Sequence, residues 1–332
     1  MYKRLTFIMF SIFFVLFTSV SFVMAGHGKG KDDKEKVAIV LASFGTTVPS
    51  AVKSIINIQD EIKRAFPGVP VKITFTSNII RSIWKKRRAD AKKWLNKGIP
   101  NEVLYVKNII ATIGDLVENG YKNIVVQPTH IFFMEQAQDL KSYIDALNSI
   151  KTTKEKWMPF NKLVMGRPAL GMPGDKYNYH EDMEKALKTV SDDVNLAKNK
   201  DAMLVYMGHG NEHWSTGIYL EAQKMMRKLY PDVVTFIGSV EGFPGIDDLT
   251  GHMGYSKSKN IVLKPFMIVA GDHATNDMAG DEKDSWKSIL SKEGFKVFPV
   301  LKGLGSNDKF ADIFVEHIKD AARDGGIELI NH

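Results

Sequence analysis

Three side chains that can bind a divalent metal recur at a regular interval in the second half of the chain. His209, Glu241 and His273 are separated by 32 residues each. Each follows an apolar run typical of a buried strand, and the interval fits one strand–helix unit. Because the carboxyl ends of parallel strands lie at one edge of a sheet, we expect the three side chains to converge. Two imidazoles and one carboxylate form an open site suited to Co²⁺, Fe²⁺, Ni²⁺ or Zn²⁺.

Each of these residues also has a purely structural explanation. His209 lies between two glycines, so the backbone turn is itself a reason for the motif, although the full dinucleotide-binding fingerprint is absent. Glu241 is placed to cap a helix that begins near Gly245, and His273 suits a solvated position in a helix-capping loop. The occurrence of all three at matching places in a repeated unit favours a shared site.

The motifs of several other enzyme classes are missing from the sequence. It contains no Gly-x-Ser-x-Gly, no His-Glu-x-x-His and no Walker loop, which argues against an esterase, a zincin protease and a nucleotide hydrolase. It also contains no cysteine, so disulfides and thiolate ligands are excluded. An ATP-independent reaction on a metal or on a metal ligand remains.

The chain is basic, with a formal net charge of +7, and its densest basic run is residues 85–88, followed by Lys92 and Lys93. A solvated helix face is the simplest interpretation of such a run. The alternative is a patch that attracts a polycarboxylate ligand. Nucleic acid is not an expected partner, because no recognised binding motif accompanies the charge.

The N-terminus has the pattern of an export signal. Lys3 and Arg4 precede an apolar stretch over residues 5–23, and small residues lead up to Ala25. We predict a cleaved signal peptide at residues 1–25 and a periplasmic protein, with an uncleaved anchor as the alternative. The polar, glycine- and lysine-rich residues 26–36 are predicted to be a disordered leader.

The rest of the chain alternates strand patterns with amphipathic helix patterns, which predicts an α/β protein with doubly wound parallel sheets. Residues 122–128 match residues 259–265, 137 positions later, so we interpret the chain as a duplicated α/β unit. We predict an N-terminal domain at residues 37–160, completed by a C-terminal helix at 307–323. The C-terminal domain, at residues 161–306, carries the metal site, and a cleft separates the two domains.

Two predicted strands define the limits of the second domain. Residues 163–166 are predicted to form its first strand, and residues 260–269 the strand that leads to His273. Asp272, Asn276 and Asp277 follow in the same loop and are expected to act as caps or as groups that support the ligands.

Longer motifs around these residues resemble the anaerobic-type sirohydrochlorin cobaltochelatases, the CbiK family. The most specific is Gly271-Asp272-His273-Ala274-Thr275-Asn276-Asp277-Met278-Ala279, which lies within residues 265–279. Five shorter segments also fit, and they are residues 43–46, 129–131, 207–210, 239–244 and 303–307. The resemblance covers the chain from about residue 37 to about residue 321.

The resemblance implies a class II chelatase with two flavodoxin-like halves and no use of ATP. Such an enzyme inserts Co²⁺ into sirohydrochlorin, an octacarboxylate tetrapyrrole on the cobalamin route, and Fe²⁺ is the alternative metal here. The residues matching the metal ligands of the family are His209, Glu241 and His273. We expect His209 to be the general base and His273 to be mainly a ligand, with the reverse assignment as the alternative. We also expect a homo-oligomer.

Five other positions are predicted to bind the substrate. They are His130, Glu135, Phe44, Gly45 and Arg81. The family has a second acid after the one that matches Glu135, whereas this chain has glutamine there.

The predicted export departs from a cytoplasmic cobalamin route and leaves a second function open. Some exported relatives bind haem between subunits, and His130 and Met134 are the candidate contacts here. Two facing α/β lobes also describe periplasmic binding proteins, so the alternative is a metal- or haem-binding protein without turnover.

Overall fold

The strands of the protein form two parallel sheets of four strands each. We describe residues 36–330 from a computed structural model of the chain. The first sheet has the order β2-β1-β3-β4 and contains β1 (Lys36–Ser43), β2 (Val71–Phe75), β3 (Tyr121–Pro128) and β4 (Lys162–Met165). The second sheet has the order β6-β5-β7-β8 and contains β5 (Ala202–Gly210), β6 (Thr235–Glu241), β7 (Asn260–Pro265) and β8 (Lys296–Pro299). The prediction of two similar doubly wound α/β sheets is confirmed.

Helices connect the strands of both sheets. In chain order they are α1 (Val52–Ala65), α2 (Asn78–Arg87), α3 (Ala91–Asn96), α4 (Asn101–Leu104), α5 (Ile109–Glu118), α6 (Glu135–Asn148), α7 (Tyr179–Lys188), α8 (Ser191–Asn199), α9 (Gly217–Leu229), α10 (Ile246–Met253), α11 (Trp286–Lys292) and α12 (Asp308–Gly325). Within residues 36–330, none of them has the length and apolar character needed to span a bilayer.

The helices that follow the last strand of each sheet pack against elements of the other sheet's half of the fold. Helix α12 lies against α1 and against β3 and β4 of the first sheet. Helices α7 and α8 follow β4, but α7 packs on α9 and α8 packs on β5 and β7 of the second sheet. The contact of α12 is apolar, because Phe310, Phe314 and Ile318 are fully buried, and each such side chain contributes about 1.5–3 kcal/mol to stability.

Strand β4 is where the structure differs most from the sequence interpretation. Residues 163–166 were expected to begin the second domain, but β4 pairs in parallel with β3, with Ile124 opposite Leu163. The physical reason is that β3, α6 (Glu135–Asn148) and β4 follow one another as a strand–helix–strand unit, in which the second strand commonly lies beside the first in the same sheet. The division of the chain into domains at residues 160 and 161 stays a prediction.

Strand β7 is also shorter than expected, since it ends at Pro265 rather than at Val269. The N–H of Phe266 still donates to the carbonyl of Met207 in β5, at 2.7 Å. The chain then leaves the sheet, and the carbonyls of Met267 and Ile268 accept hydrogen bonds from the N–H groups of Leu304 and Gly305, at 2.8 and 2.9 Å. Proline has no N–H to continue a strand ladder, which accounts for the early end.

The predicted N-terminal segments fall mainly outside the structure. The signal peptide at residues 1–25 and nearly all of the leader at 26–36 lie outside the described residues. Only Lys36 of the predicted leader is described, and it begins β1.

Candidate metal site

The two glycines that flank His209 are required by close packing at the end of β5. A Cβ atom on Gly208 would lie 2.2 Å from Cε1 of the Tyr219 ring. Gly210 has φ +82°, and a Cβ atom there would lie 1.7 Å from the carbonyl oxygen of Glu241. Only glycine tolerates both this conformation and this approach. The backbone explanation of the motif is therefore correct, and it also accounts for the proximity of the His209 and Glu241 segments.

The structure brings His209, Glu241 and His273 together at the carboxyl edge of the second sheet. Nδ1 of His209 lies 3.7 Å from Oε2 of Glu241. The rings of His209 and His273 are 4.8 Å apart between centroids, with their planes at 89°. The side chains of His209, Glu241 and His273 are 39%, 38% and 37% exposed, so all three can be reached from solvent.

The cluster is not a closed coordination shell. Among the side chains of residues 36–330, no three His, Asp or Glu groups stand close enough together to hold an ion as they are placed. The assignment of the three residues as metal ligands therefore stays a prediction that rests on their proximity and donor chemistry.

Hydrogen bonds fix which nitrogen of each imidazole is free. Nδ1 of His273 lies 2.5 Å from Oδ2 of Asp277, and Nδ1 of His209 lies 3.1 Å from the carbonyl oxygen of Gly210. A carbonyl and an ionised carboxylate only accept, so Nδ1 carries the proton in both rings. In each ring Nε2 is left with a lone pair that can bind a metal or accept a proton.

Asp277 reaches His273 across a π-helical turn, Ala274–Met278, that begins just after the histidine. Such turns occur often at functional sites. Asp277 is thus one of the supporting groups that the sequence led us to expect. Its neighbour Asp272 instead accepts a hydrogen bond from Asn276, at 2.9 Å.

Replacing Asp277 by alanine should weaken Co²⁺ binding by about 10- to 100-fold, because the His273 ring loses the acceptor that orients it. Asp277→Asn, which keeps an acceptor without the charge, should have an intermediate affinity. Titration calorimetry with Co²⁺ alone measures both. Asp272→Ala removes an equal charge nearby and should bind Co²⁺ as the wild type does. If the Asp272 and Asp277 variants bind equally well, the orienting role of Asp277 is wrong.

The loop after β1 places first-half residues beside this cluster. Phe44 is 40% exposed, and its ring centroid lies 6.2 Å from that of His209. Gly45 has φ +98°, and a Cβ atom there would lie 2.7 Å from the Phe75 ring. Phe44 is thus positioned to contact a bound ligand, whereas Gly45 has a structural reason to be glycine.

Arg81 is engaged by the backbone at the end of β2. Its Nη1 group donates to the carbonyls of Phe75 and of Thr76, the latter at 2.8 Å, and its Nη2 group donates to Oδ1 of Asn78. Burial lowers the pKa of Arg81. These contacts give Arg81 a structural role at the strand end, and its contact with substrate stays a prediction.

Glu135 and Phe132 connect the loop after β3 to the second half. Oε2 of Glu135 accepts a hydrogen bond from Nδ2 of Asn211, at 3.0 Å. The Phe132 ring packs edge-on against Tyr219, with centroids 4.9 Å apart. Tyr219 in turn accepts a hydrogen bond from the N–H of Gly210, at 3.0 Å, and burial raises its pKa to about 12. The sequence did not reveal these partners, because only the fold brings them next to His209.

His130 lies in the same loop but its ring is enclosed by the protein. Part of the residue reaches solvent, yet both ring nitrogens are buried and have no hydrogen-bond partner within the described part of the chain. Burial lowers the pKa of His130 from 6.5 to about 4. Because both ring nitrogens of His130 are enclosed, a haem iron cannot reach them. The position of the His130 side chain therefore does not fit the predicted haem contact.

The burial of His130 predicts a loss of stability in mild acid. In the unfolded chain this histidine binds a proton near pH 6.5, whereas in the folded chain it stays neutral down to about pH 4. The contribution of His130 therefore lowers the free energy of unfolding as the pH drops from 6.5 towards 4. Below pH 4 this contribution no longer changes. Between pH 7.5 and pH 5, His130 should lower the free energy of unfolding by about 2 kcal/mol.

Urea unfolding of the wild type and of His130→Asn at both pH values isolates this contribution. The variant should lose less stability than the wild type by that amount. His252→Asn, which removes an exposed histidine, should lose as much as the wild type. An identical pH response of the wild type and the His130 variant would contradict the prediction.

Comparison with known proteins adds a family and two groups of relatives. A family model described as cobalt chelatase (CbiK) matches residues 37–323. The sirohydrochlorin cobaltochelatase CbiKC of Nitratidesulfovibrio vulgaris strain Hildenborough is 28% identical over 286 residues, which cover 86% of this chain and 90% of that protein. The sirohydrochlorin cobaltochelatase of Salmonella typhimurium strain LT2 is 26% identical over 288 residues, which cover 86% and 96%.

Solved structures support the fold. SirB from Bacillus subtilis with Fe³⁺ aligns with a TM-score of 0.58 at 14% identity, over 88% of this chain and 98% of SirB. The sirohydrochlorin chelatase SirB from Bacillus subtilis subspecies spizizenii in complex with cobalt aligns with a TM-score of 0.56 at 14% identity, over 88% and 97%. At this identity the likeness concerns the fold alone.

Proposed function

Because this chain belongs to the CbiK family of cobalt chelatases, we propose that it inserts Co²⁺ into sirohydrochlorin without ATP. The observation that carries the proposal is the cluster of His209, Glu241 and His273 at one sheet edge. It lies in a chain whose family match spans residues 37–323. A metal chelatase needs donors for the ion, an acceptor for protons and room for the ring, and the open cluster supplies the first two.

Insertion exchanges one Co²⁺ ion for the two protons of the ring N–H groups, so a base must accept protons near the ion. We assign this role to His209, whose Nε2 lone pair is free because Nδ1 donates to Gly210. The carboxylate of Glu241, 3.7 Å from Nδ1, stabilises the imidazolium that forms. The second proton leaves to solvent through the exposed side of the cluster.

His273 is assigned mainly to the ion. Its bond to Asp277 keeps the Nε2 lone pair available and holds the ring in place. Phe44, close to His209, offers an aromatic face on which the macrocycle can pack. We place the ring between the loop after β1 and the two histidines.

The metal and the compartment are further parts of the proposal. Imidazole and carboxylate donors accept both Co²⁺ and Fe²⁺, so we propose Co²⁺ as the main substrate and Fe²⁺ as a second one. The signal-like residues 1–25 support action in the periplasm. We also propose that the protein assembles as a homo-oligomer.

Visible absorption spectra of purified protein mixed with sirohydrochlorin and either metal test the proposal. Time-dependent formation of the cobalt complex in the absence of nucleotide, faster than without protein, is the expected result. Equal amounts of both metals in one reaction give the preference. Tight binding of metal or ring with no acceleration of insertion would contradict the proposal and would favour a binding protein without turnover.

A further inference from the structure

The excess positive charge of the protein is concentrated in one short segment. Residues 78–97, which we call the cationic segment, contain eight Lys or Arg residues and one acidic residue. Their net charge of +7 equals that of the whole chain, so all other residues together are formally neutral. The segment consists of α2, a short turn at Arg88–Asp90, α3 and Lys97.

The arginines of the cationic segment hold it in place. The guanidinium of Arg87 lies over the rings of Trp84 and Trp94, 4.5 and 4.2 Å from their centroids. Arg88 donates to the carbonyls of Leu104 and Val106, at 3.0 and 3.1 Å. These contacts occupy arginine donors and cover the faces of the buried Trp84 ring and the partly exposed Trp94 ring, so the segment is a fixed surface.

The lysines, by contrast, point their charge to solvent. The exposed members are Lys85, Lys86, Lys92, Lys93 and Lys97. The one carboxylate of the segment, Asp90, is also exposed, and it lies 3.8 Å from Lys93. This single negative charge is already counted in the net charge of +7, so a positive field extends outward from the segment.

The cationic segment lies next to the metal site. Nε1 of Trp84 donates to the carbonyl of Thr46, at 2.8 Å, and Arg87 donates to the carbonyl of Thr47, at 2.6 Å. Thr46 is in turn close to Gly271, where a Cβ atom would lie 3.3 Å from its Oγ1. The loop of residues 44–47 thus lies between α2 and the loops that carry His209 and His273.

We infer that the cationic segment docks the peripheral carboxylates of the tetrapyrrole before metal insertion. This inference rests on the proposed function, because that substrate is a polyanion whose ring must reach the site beside the segment. Fixed positive charge at the entrance raises the local concentration of a polyanion and its rate of association. The placement beside Thr46 and Thr47, and not at a remote face, favours the substrate over a membrane. Trp84 and Trp94 are packed under Arg87, so neither is free to insert among lipids.

Two variants with the same total charge test the inference. The first changes Lys85, Lys86, Lys92 and Lys93 to glutamine. The control changes Lys257, Lys259, Lys292 and Lys296 to glutamine, four exposed lysines that precede β7 and β8 or begin β8 at the amino edge of the second sheet. Both lose four charges, so any difference between them reports the position of the charge. Thermal unfolding verifies that both variants fold.

At low ionic strength the first variant should lose about tenfold in kcat/KM for sirohydrochlorin, with kcat unchanged. Its kcat/KM should also depend less on salt than that of the wild type, because screened charges have already been removed. The control variant should stay within about twofold of the wild type. Equal kcat/KM and equal salt dependence in the two variants would overturn the inference.

Binding of uroporphyrin, an octacarboxylate ring, separates docking from turnover. If the wild type does not insert metal, the proposed function fails, and docking is then judged on uroporphyrin affinity alone. Weaker binding in the first variant than in the control supports docking. If the first variant binds the ring normally but loses binding to phosphatidylglycerol vesicles, the segment is a membrane surface and the inference is wrong.

Discussion

Replacing His209 by alanine is expected to lower kcat for Co²⁺ insertion by about a thousandfold, the usual range for loss of a positioned base. The reason is that the free Nε2 atom of His209 accepts the proton. His273 is the other imidazole of the cluster, and it cannot take over this role while it binds the ion. Stopped-flow absorption of the cobalt complex measures the rate. Added imidazole should restore part of the activity, because a small base can enter the space left by the side chain.

His273→Ala should give a different kinetic pattern that separates the two roles. Loss of a ligand should raise the Co²⁺ concentration needed for half-maximal rate, and added imidazole should help less. His213→Ala is the matched control, because His213 is an exposed histidine four residues after His209. It should keep wild-type rates. Full activity in both the His209 and His273 variants would show that the site assignment is wrong.

Gly210→Ala is expected to destabilise the protein by roughly 3 kcal/mol or more and to abolish insertion. Its Cβ atom would overlap the carbonyl of Glu241, 1.7 Å away, so the backbone that carries Glu241 must move. Gly294→Ala isolates the conformational part, since Gly294 has φ +85° and nothing within 4 Å of its Cβ position. That control should cost only about 1–2 kcal/mol.

Urea unfolding and the insertion assay together test the prediction for Gly210. The difference between the two alanine variants measures the steric overlap alone, because both residues have a left-handed backbone. Equal losses of stability in the two would mean that the close approach of the β5 and β6 loops does not matter. A stable and active Gly210 variant would also remove the structural reason for the Gly-His-Gly motif.

The sequence predicts best what depends on local periodicity. Strand ends follow from the apolar runs, so the convergence of His209, Glu241 and His273 was foreseeable. The sheet to which β4 belongs was not, because a four-residue strand carries no signal for its neighbour. Nor was the enclosure of His130 or the use of Arg81 by strand β2, since both depend on groups that only the fold brings near.

Asp277 is an intermediate case. Its place in the loop after His273 predicted a role as a cap or as a group that supports the ligands, but did not single it out from Asp272 and Asn276. The π-helical turn that mediates the contact was not predicted. The contact of Tyr219 with the segment around His209 has no signal in the sequence. It depends on the absence of a side chain at Gly208, because the Tyr219 ring occupies that space.

The packing of α12 on the first sheet sets an order on folding during synthesis. Helix α12 (Asp308–Gly325) is synthesised long after α1 and β3, yet it covers both of them. The first half therefore has an uncovered apolar face until α12 has been synthesised. Contacts so distant in sequence slow folding and lengthen the time in which aggregation competes. A truncation that removes α12 should consequently yield aggregated chains, in which the uncovered apolar face of the first half starts the aggregation.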